Sequence, residues 1–272
     1  MSYEIRDHRL FGADVTYINS PNQGAAFVKG QPDSLIIHYT AGPSLNSAVN
    51  WFKNPESGAS AHLTIDRNGE VVQMVPFNRV AWHAGKSNYS GRSGFNQFAI
   101  GIELVNAGFL TAKEEAFADI YGNVYPATDV IKLTHKNEQQ ELNWQKYTEA
   151  QLAALIAVSK ALKSAYAIET FLGHDDISPN RKSDPGPAFP MERFMHDLNE
   201  KDAVEVVLQD HKKGVVTASK LNVRKSPSAE AELAAEPVVQ DTAVTIIGAK
   251  GDWLKVTVEI TGWVARRYVE IK

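Results

Sequence analysis

The chain has no cysteine among its 272 residues. That absence excludes disulfides, cysteine-ligated zinc fingers and thiol nucleophiles together, and it removes any lipid-attachment cysteine. No charge excess is present either. A formal net charge of −4 gives no basic footprint for nucleic acid, so none is expected as a partner. No run reaches the roughly 18 apolar residues that a membrane span needs. The opening residues, MSYEIRDHRLFGADV, are charged and lack the apolar stretch of a secretory signal. Read as written, the chain suits the cytoplasm, or the cell envelope if it is trimmed or exported by another route. What remains is an ordinary globular composition, 43% hydrophobic and 22% charged. It is enough for one large or two ordinary domains, and a monomer is expected.

Chemistry concentrates in residues 173–187, GHDDISPNRKSDPGP. Pro179 breaks this stretch, and Pro185, Gly186 and Pro187 close it, so a rigid loop is predicted rather than a helix. Such a loop can aim His174, Lys182 and Asp184 at one spot. Histidine and aspartate suit zinc, and lysine adds a fixed positive charge. A solvated surface turn is the competing reading.

Residues 1–33 read as an irregular arm punctuated by Pro21, Gly24, Gly30 and Pro32. SLIIHYT, 34–40, is a buried strand with His38 at its C-terminal end, where sites gather in open α/β sheets. A lone histidine there is either a hydrogen-bonded core residue or a ligand. Ser44 opens a helix carrying Leu45, Ala48, Val49 and Phe52 on one face. Residues 61–65 and 71–75 flank Asn68-Gly69 and form a hairpin, with His62 in a packing role. The Gly- and Ser-rich stretch 81–97 holds Trp82 and His83, either a substrate rim or a surface loop with a packed tryptophan. In FAIGIELV, 98–105, the only charged residue is Glu103. A carboxylate inside a buried strand needs a partner, a proton or a nearby metal, which makes it a structural acid or a base beside a metal site.

Residues 106–147 form a polar excursion, partly helical at 112–120. Thr148 and Gln151 make a capping box for a helix that runs to Tyr166, and Leu152, Leu155, Ile156 and Leu162 build its apolar face. A last amphipathic helix lies near 190–200. Charge-rich 201–214 reads as a linker between a domain over 1–200 and another over 215–272, although AVEVVL within it can also form a strand. Beyond it come VVTA, LNVR, AVTIIG, WLKVTV, GWV and YVEI, short β runs that predict a small barrel.

Assembled in order, IIHYTAG, SAHLTIDRNGEVVQMV, AWHAGKS, FAIGIEL and GHDDISPNRKSDPGP resemble the zinc-dependent N-acetylmuramoyl-L-alanine amidase family over roughly 34–194. The resemblance implies an α/β fold, a mixed central sheet flanked by helices, with one zinc ion held by His38, His174 and Asp184. By the same match Glu103 is similar to the family's general base and Lys182 to its transition-state stabiliser. Some relatives carry a tyrosine before the hairpin histidine. Ala61 stands there in this chain, so the base role falls on Glu103 alone. Residues 217–271 resemble a bacterial Src-homology-3-like domain, which lacks here the usual glycine near Lys225. Such domains often bind cell-wall peptides, and Trp253 and Trp263 serve either that or the domain's own core. The implied activity is hydrolysis of the bond between N-acetylmuramic acid and L-alanine in peptidoglycan or muropeptides, with Trp82 and His83 at the substrate rim. Two other readings stay open, a peptidoglycan-binding module without turnover and a non-haem iron site built on the same two histidines and carboxylate.

Overall fold

Two apolar runs, each interrupted by one polar residue of interest, make the centre of the larger of the chain's two units. Ser34–Tyr39 and Ala99–Leu104 are strands, buried along almost their whole length, a pattern that suits parallel strands covered on both faces. They pair in parallel with each other inside a mixed six-stranded sheet. Its order is Thr170–Gly173, Ser34–Tyr39, Ala99–Leu104, Leu63–Ile65, Val71–Gln73, Val15–Tyr17. The computed structural model describes residues 3–114, 116–199, 206–227, 229 and 231–258, with only the backbone of 206, 207, 209 and 210.

The predicted hairpin forms as Leu63–Ile65 against Val71–Gln73, antiparallel, with Gly69 at φ +90° in its turn. Ser44 caps the helix Leu45–Lys53, which buries Ala48, Val49 and Phe52. The Thr148–Gln151 capping box is present and starts the helix Glu149–Ala165. Leu152, Leu155, Val158 and Leu162 of that helix join Leu35, Ile37, Ile100, Ile102 and Leu104 of the sheet in the main core cluster. Phe194 and Leu198 of the last helix of this unit, Met191–Asn199, complete it. Burying each such side chain stabilises the fold by about 1.5–3 kcal/mol before the cost of ordering it.

Two stretches differ from expectation, and a third takes the second of two readings left open. Residues 1–33 are no irregular arm. Glu4–Arg6 and Arg9–Phe11 pair with each other, Val15–Tyr17 joins the central sheet parallel to Val71–Gln73, and Gln23–Ala26 pairs with Arg79–Ala81. Strands of three or four residues are too short to show an alternating pattern. The excursion after Glu103 is also β rather than partly helical. Val124–Tyr125, Phe117–Ala118, Phe109–Ala112, Glu141–Gln145 and Val130–Thr134 form, in that order, a five-stranded sheet, antiparallel throughout. Pairing of Thr111 with Ala118 overrides the helix preference of the alanine, lysine and glutamate between them. Val206–Val215 overlaps the expected linker and is a strand, antiparallel to Ala243–Lys250, in line with the strand left open for AVEVVL, of which 206–208 are described.

The chain divides into two compact units, Met1–Leu198 and Asn199–Lys272. In the second, Val206–Val215, Ala243–Lys250 and Trp253–Val258 make a three-stranded sheet, and Lys220–Arg224 pairs with Leu233–Val239. The expected strands GWV and YVEI, and Trp263 with them, lie outside the described residues. In the described part, no helix is long and apolar enough to cross a membrane.

Candidate metal centre and active site

Register places the first two site residues together. Across the parallel pair Glu103 stands opposite His38 and Ile102 opposite Ile37. Alternate side chains of a strand point to opposite faces. Leu35, Ile37, Ile100 and Ile102 face the core cluster, so His38 and Glu103 share the other face on neighbouring strands. On the far side of the His38 strand, Gly173 pairs with Ile37, and His174 follows it immediately, opening a one-turn helix His174–Ile177. All three residues sit at the C-terminal ends of parallel strands, the position where open α/β sheets collect their sites. Asp184 returns to the same spot because the Asp175 amide donates to the Asp184 carbonyl at 2.8 Å. Gly173 has to be small there, since a Cβ would overlap the Asp175 carboxylate and come 2.6 Å from Pro185 Cδ.

The three expected ligands converge. His38 Nδ1 lies 2.9 Å from His174 Nδ1 and 2.8 Å from Asp184 Oδ2, and His174 Nδ1 lies 3.0 Å from the same oxygen. All three residues are buried. The question for a metal is which of these atoms carries hydrogen, because a neutral imidazole has one donor and one acceptor. His174 Nε2 faces the Ala84 carbonyl at 3.0 Å and must donate to it, which leaves Nδ1 bare. Arg181 Nη2 also lies 3.3 Å from that Nε2, but its two hydrogens are shared among the nearer acceptors Ala84 O, Lys86 O and Ser178 Oγ, each at 2.9 Å. His83 Nε2 faces the Ala99 carbonyl at 3.2 Å and donates to it, so His83 Nδ1 accepts from His38 Nε2 at 2.9 Å. His38 Nδ1 is therefore bare as well. Burial, with neighbouring imidazoles next in weight, lowers His38 to about 4 and His83 well below its ordinary value, which keeps both rings neutral. Three lone-pair donors thus meet with no hydrogen among them. That arrangement fits a cation, and two imidazoles with one carboxylate are donors that suit zinc, three being the ligand number of catalytic sites.

Glu103 is nearly buried, and its Oε2 has no hydrogen-bond partner among the described residues. Burial, and then the Asp184 charge, raises its carboxyl well above the ordinary value against the pull of Lys182. Lys182 is exposed, and among the described residues its ammonium makes no hydrogen bond or ion pair. Tyr39 bonds to Ser183 Oγ at 2.6 Å, and burial pushes its hydroxyl up to about 12.

The expected rim pair separates. Trp82 is 39% exposed, while His83 is only 9% exposed and points inward as the partner of His38. Gly101 makes room for it, since a Cβ there would overlap the His83 ring. His62 takes the packing role foreseen for it, with Nε2 bonded to Arg79 O and Nδ1 accepting from the Gly101 amide. Sequence reasoning missed Arg181, whose guanidinium ties residues 84–86 to the 173–187 loop. It also missed Asn96, which accepts from the amides of His83 and Ala84. Arg181 stands beside Lys182 in the chain, and that adjacency was a usable signal.

Known proteins resemble this chain in sequence and fold. Residues 28–187 match the profile of the N-acetylmuramoyl-L-alanine amidase family, and residues 219–270 match that of the bacterial SH3 domain. Over 137 residues the chain is 40% identical to the 1,6-anhydro-N-acetylmuramyl-L-alanine amidase AmpD of Escherichia coli (strain K12), 50% of this chain and 56% of that protein. It therefore spans little more than half the length of that relative. Over 200 residues it is 32% identical to AmpD of Enterobacter cloacae, 66% of this chain and 88% of the relative. A crystal structure of a selenomethionine derivative of AmpD aligns with a TM-score of 0.51 at 30% identity, covering 71% of this chain and 98% of that one. The amidase profile takes in more than half of the chain, including His38, Glu103, His174 and Asp184, and the protein belongs to the N-acetylmuramoyl-L-alanine amidase family, with a bacterial SH3 domain following.

Proposed function

We propose that this chain is a zinc-dependent hydrolase of the amide bond between N-acetylmuramic acid and L-alanine, in peptidoglycan or in soluble muropeptides. The observation that carries the reading is the meeting of three bare donors beside a buried, unpartnered carboxylate. His38, His174 and Asp184 would hold the zinc. When bound, zinc lowers the pKa of water toward ~7 and polarises a carbonyl.

The remaining steps belong to side chains. Glu103 lies one strand from His38 on the same face, and its free Oε2 accepts the proton of the attacking water and passes it to the leaving amine. Lys182, whose ammonium has no partner among the described residues, would stabilise the negative charge that develops on the scissile carbonyl oxygen. His83 keeps His38 in the tautomer that leaves Nδ1 free. Mass spectrometry of intact sacculi and of soluble muropeptides, with and without the 1,6-anhydro sugar, tests the reading. Free stem peptides beginning with L-alanine are expected. Binding without any such product would leave a recognition module.

Lys182→Ala is expected to lower kcat about 10²–10³-fold, the usual cost of one lost oxyanion donor, with KM little changed. Steady-state kinetics on soluble muropeptide check this. An effect on KM alone would make Lys182 a binder of the acidic stem peptide instead.

The SH3 unit is proposed to deliver the enzyme to its polymeric substrate. Every proposed catalytic residue lies in Met1–Leu198, and tethering raises effective concentration on an insoluble wall but not on a small soluble substrate. A chain ending near residue 200 should keep its kcat on muropeptide and lose activity mainly on sacculi. Equal loss on both, with a lower melting temperature, would reject the delivery role.

A further inference from the structure

The five-stranded sheet that follows Glu103 supplies no group to the converging donors, yet it grips the loop that carries two of them. His135 and Asp175 are both buried. His135 Nδ1 accepts from the Asn137 amide at 3.1 Å, so its Nε2 bears the hydrogen and donates it to Asp175 Oδ2 at 3.0 Å. The Lys136 ammonium lies 2.9 Å from Asp175 Oδ1 and 2.6 Å from Asp176 Oδ1. Asn137 Nδ2 donates to the Asp175 carbonyl at 3.1 Å. Three consecutive residues of one turn thus hold two consecutive acids: Asp175 Oδ2 is hydrogen-bonded, while Oδ1 has no hydrogen-bond partner among the described residues and only the ion pair with Lys136.

Asp175 is placed to pass this constraint on. It follows His174 in the chain, and its amide donates to the carbonyl of Asp184 at 2.8 Å. Rotation of its peptide would therefore disturb both loop donors together. The same sheet holds the far end of the loop. The His135 ring stacks on Trp144 with centroids 5.9 Å apart. A Cβ on Gly186 would come 3.0 Å from the Trp144 ring, so the indole lies close beneath the DPGP turn. Just past the sheet, Tyr147 donates to the Pro185 carbonyl at 2.7 Å.

We propose that this sheet is a brace for the metal loop, and that His135 and Lys136 are positioning residues acting through Asp175 on His174 and Asp184. The mechanism is restriction of ligand orientation, the means by which hydrogen-bonded supports raise metal affinity. A sheet that only stabilised the fold would lower the melting temperature without changing how tightly the folded protein holds zinc. The proposal rests on the zinc reading above.

The test measures the zinc dissociation constant of the full chain by chelator competition, at a temperature where circular dichroism shows each variant folded. His135→Ala is expected to weaken zinc binding about tenfold or more and to lower kcat with KM within about twofold. His135→Gln keeps an N–H donor near the Nε2 position and should restore zinc affinity to within about threefold of the unsubstituted chain. Lys136→Met, which leaves Asp175 Oδ1 unpaired, should lie between them. If His135→Ala fails to fold, the Lys136→Met and His135→Gln affinities decide alone. Unchanged affinity in the folded variants would overturn the brace while leaving the zinc reading intact. An unsubstituted chain that holds no zinc would overturn both.

Discussion

His174→Ala is expected to leave the purified protein without zinc and its turnover at background. The unsubstituted chain should carry about one zinc. Removing the ring leaves His38 Nδ1 and Asp184 Oδ2 as a two-donor site, too few for a catalytic zinc centre. It also takes the imidazole N–H from the Ala84 carbonyl, which keeps the Arg181 guanidinium as a donor. The fold should survive, because His174 stands outside the core cluster of Leu35, Ile37, Ile100, Ile102 and Leu155. A melting curve therefore accompanies the metal analysis, to separate loss of the ion from loss of the fold. Elemental analysis of the unsubstituted protein also distinguishes zinc from iron, which the same donor types accept. Full zinc occupancy in folded His174→Ala would sink the ligand assignment.

Much of this site is legible in the sequence for a simple reason. A buried strand has no ordinary use for an ionisable residue, so His38 in SLIIHYT and Glu103 in FAIGIELV stand out against their neighbours. The proline-braced loop is legible because proline and glycine have local meanings that hold in any fold. The missing parts depend on partners far away in the chain. His83 lies in a loop, and composition does not say whether a loop imidazole turns inward. That is decided by the space over Gly101 and by the Asn96 side chain that accepts from the His83 and Ala84 amides. His135 sits in a polar stretch, and its partner Asp175 comes 40 residues later in the chain. Val15–Tyr17 is likewise a strand only because Val71–Gln73 offers it an edge. The strand Val206–Val215 is half legible: its valines and leucine favour β structure, while the charges among them read as a linker. Local chemistry thus names the reacting groups, while tertiary pairing supplies the groups that hold them.

Glu103→Gln is expected to keep the zinc and lose about 10²–10⁴ in turnover, the usual contribution of a positioned general base. The substitution preserves the side chain's size on a strand buried along its length and removes only its capacity to take a proton. Zinc should be retained because Glu103 is not among the three converging donors. Its place opposite His38 on the neighbouring strand sets it next to the donor set without joining it. Stability should change little or rise. Burial and the nearby Asp184 charge penalise the ionised carboxylate, and a neutral amide escapes that penalty. This sign separates the two roles left open by a buried glutamate. A structural acid, held by partners that depend on its charge, would melt earlier on losing it, with activity falling only as far as the folded fraction falls. A base would lose turnover while the melting temperature holds or rises. Steady-state rates, zinc content and a thermal melt on one preparation decide between them, and wild-type turnover in Glu103→Gln would remove Glu103 from the mechanism.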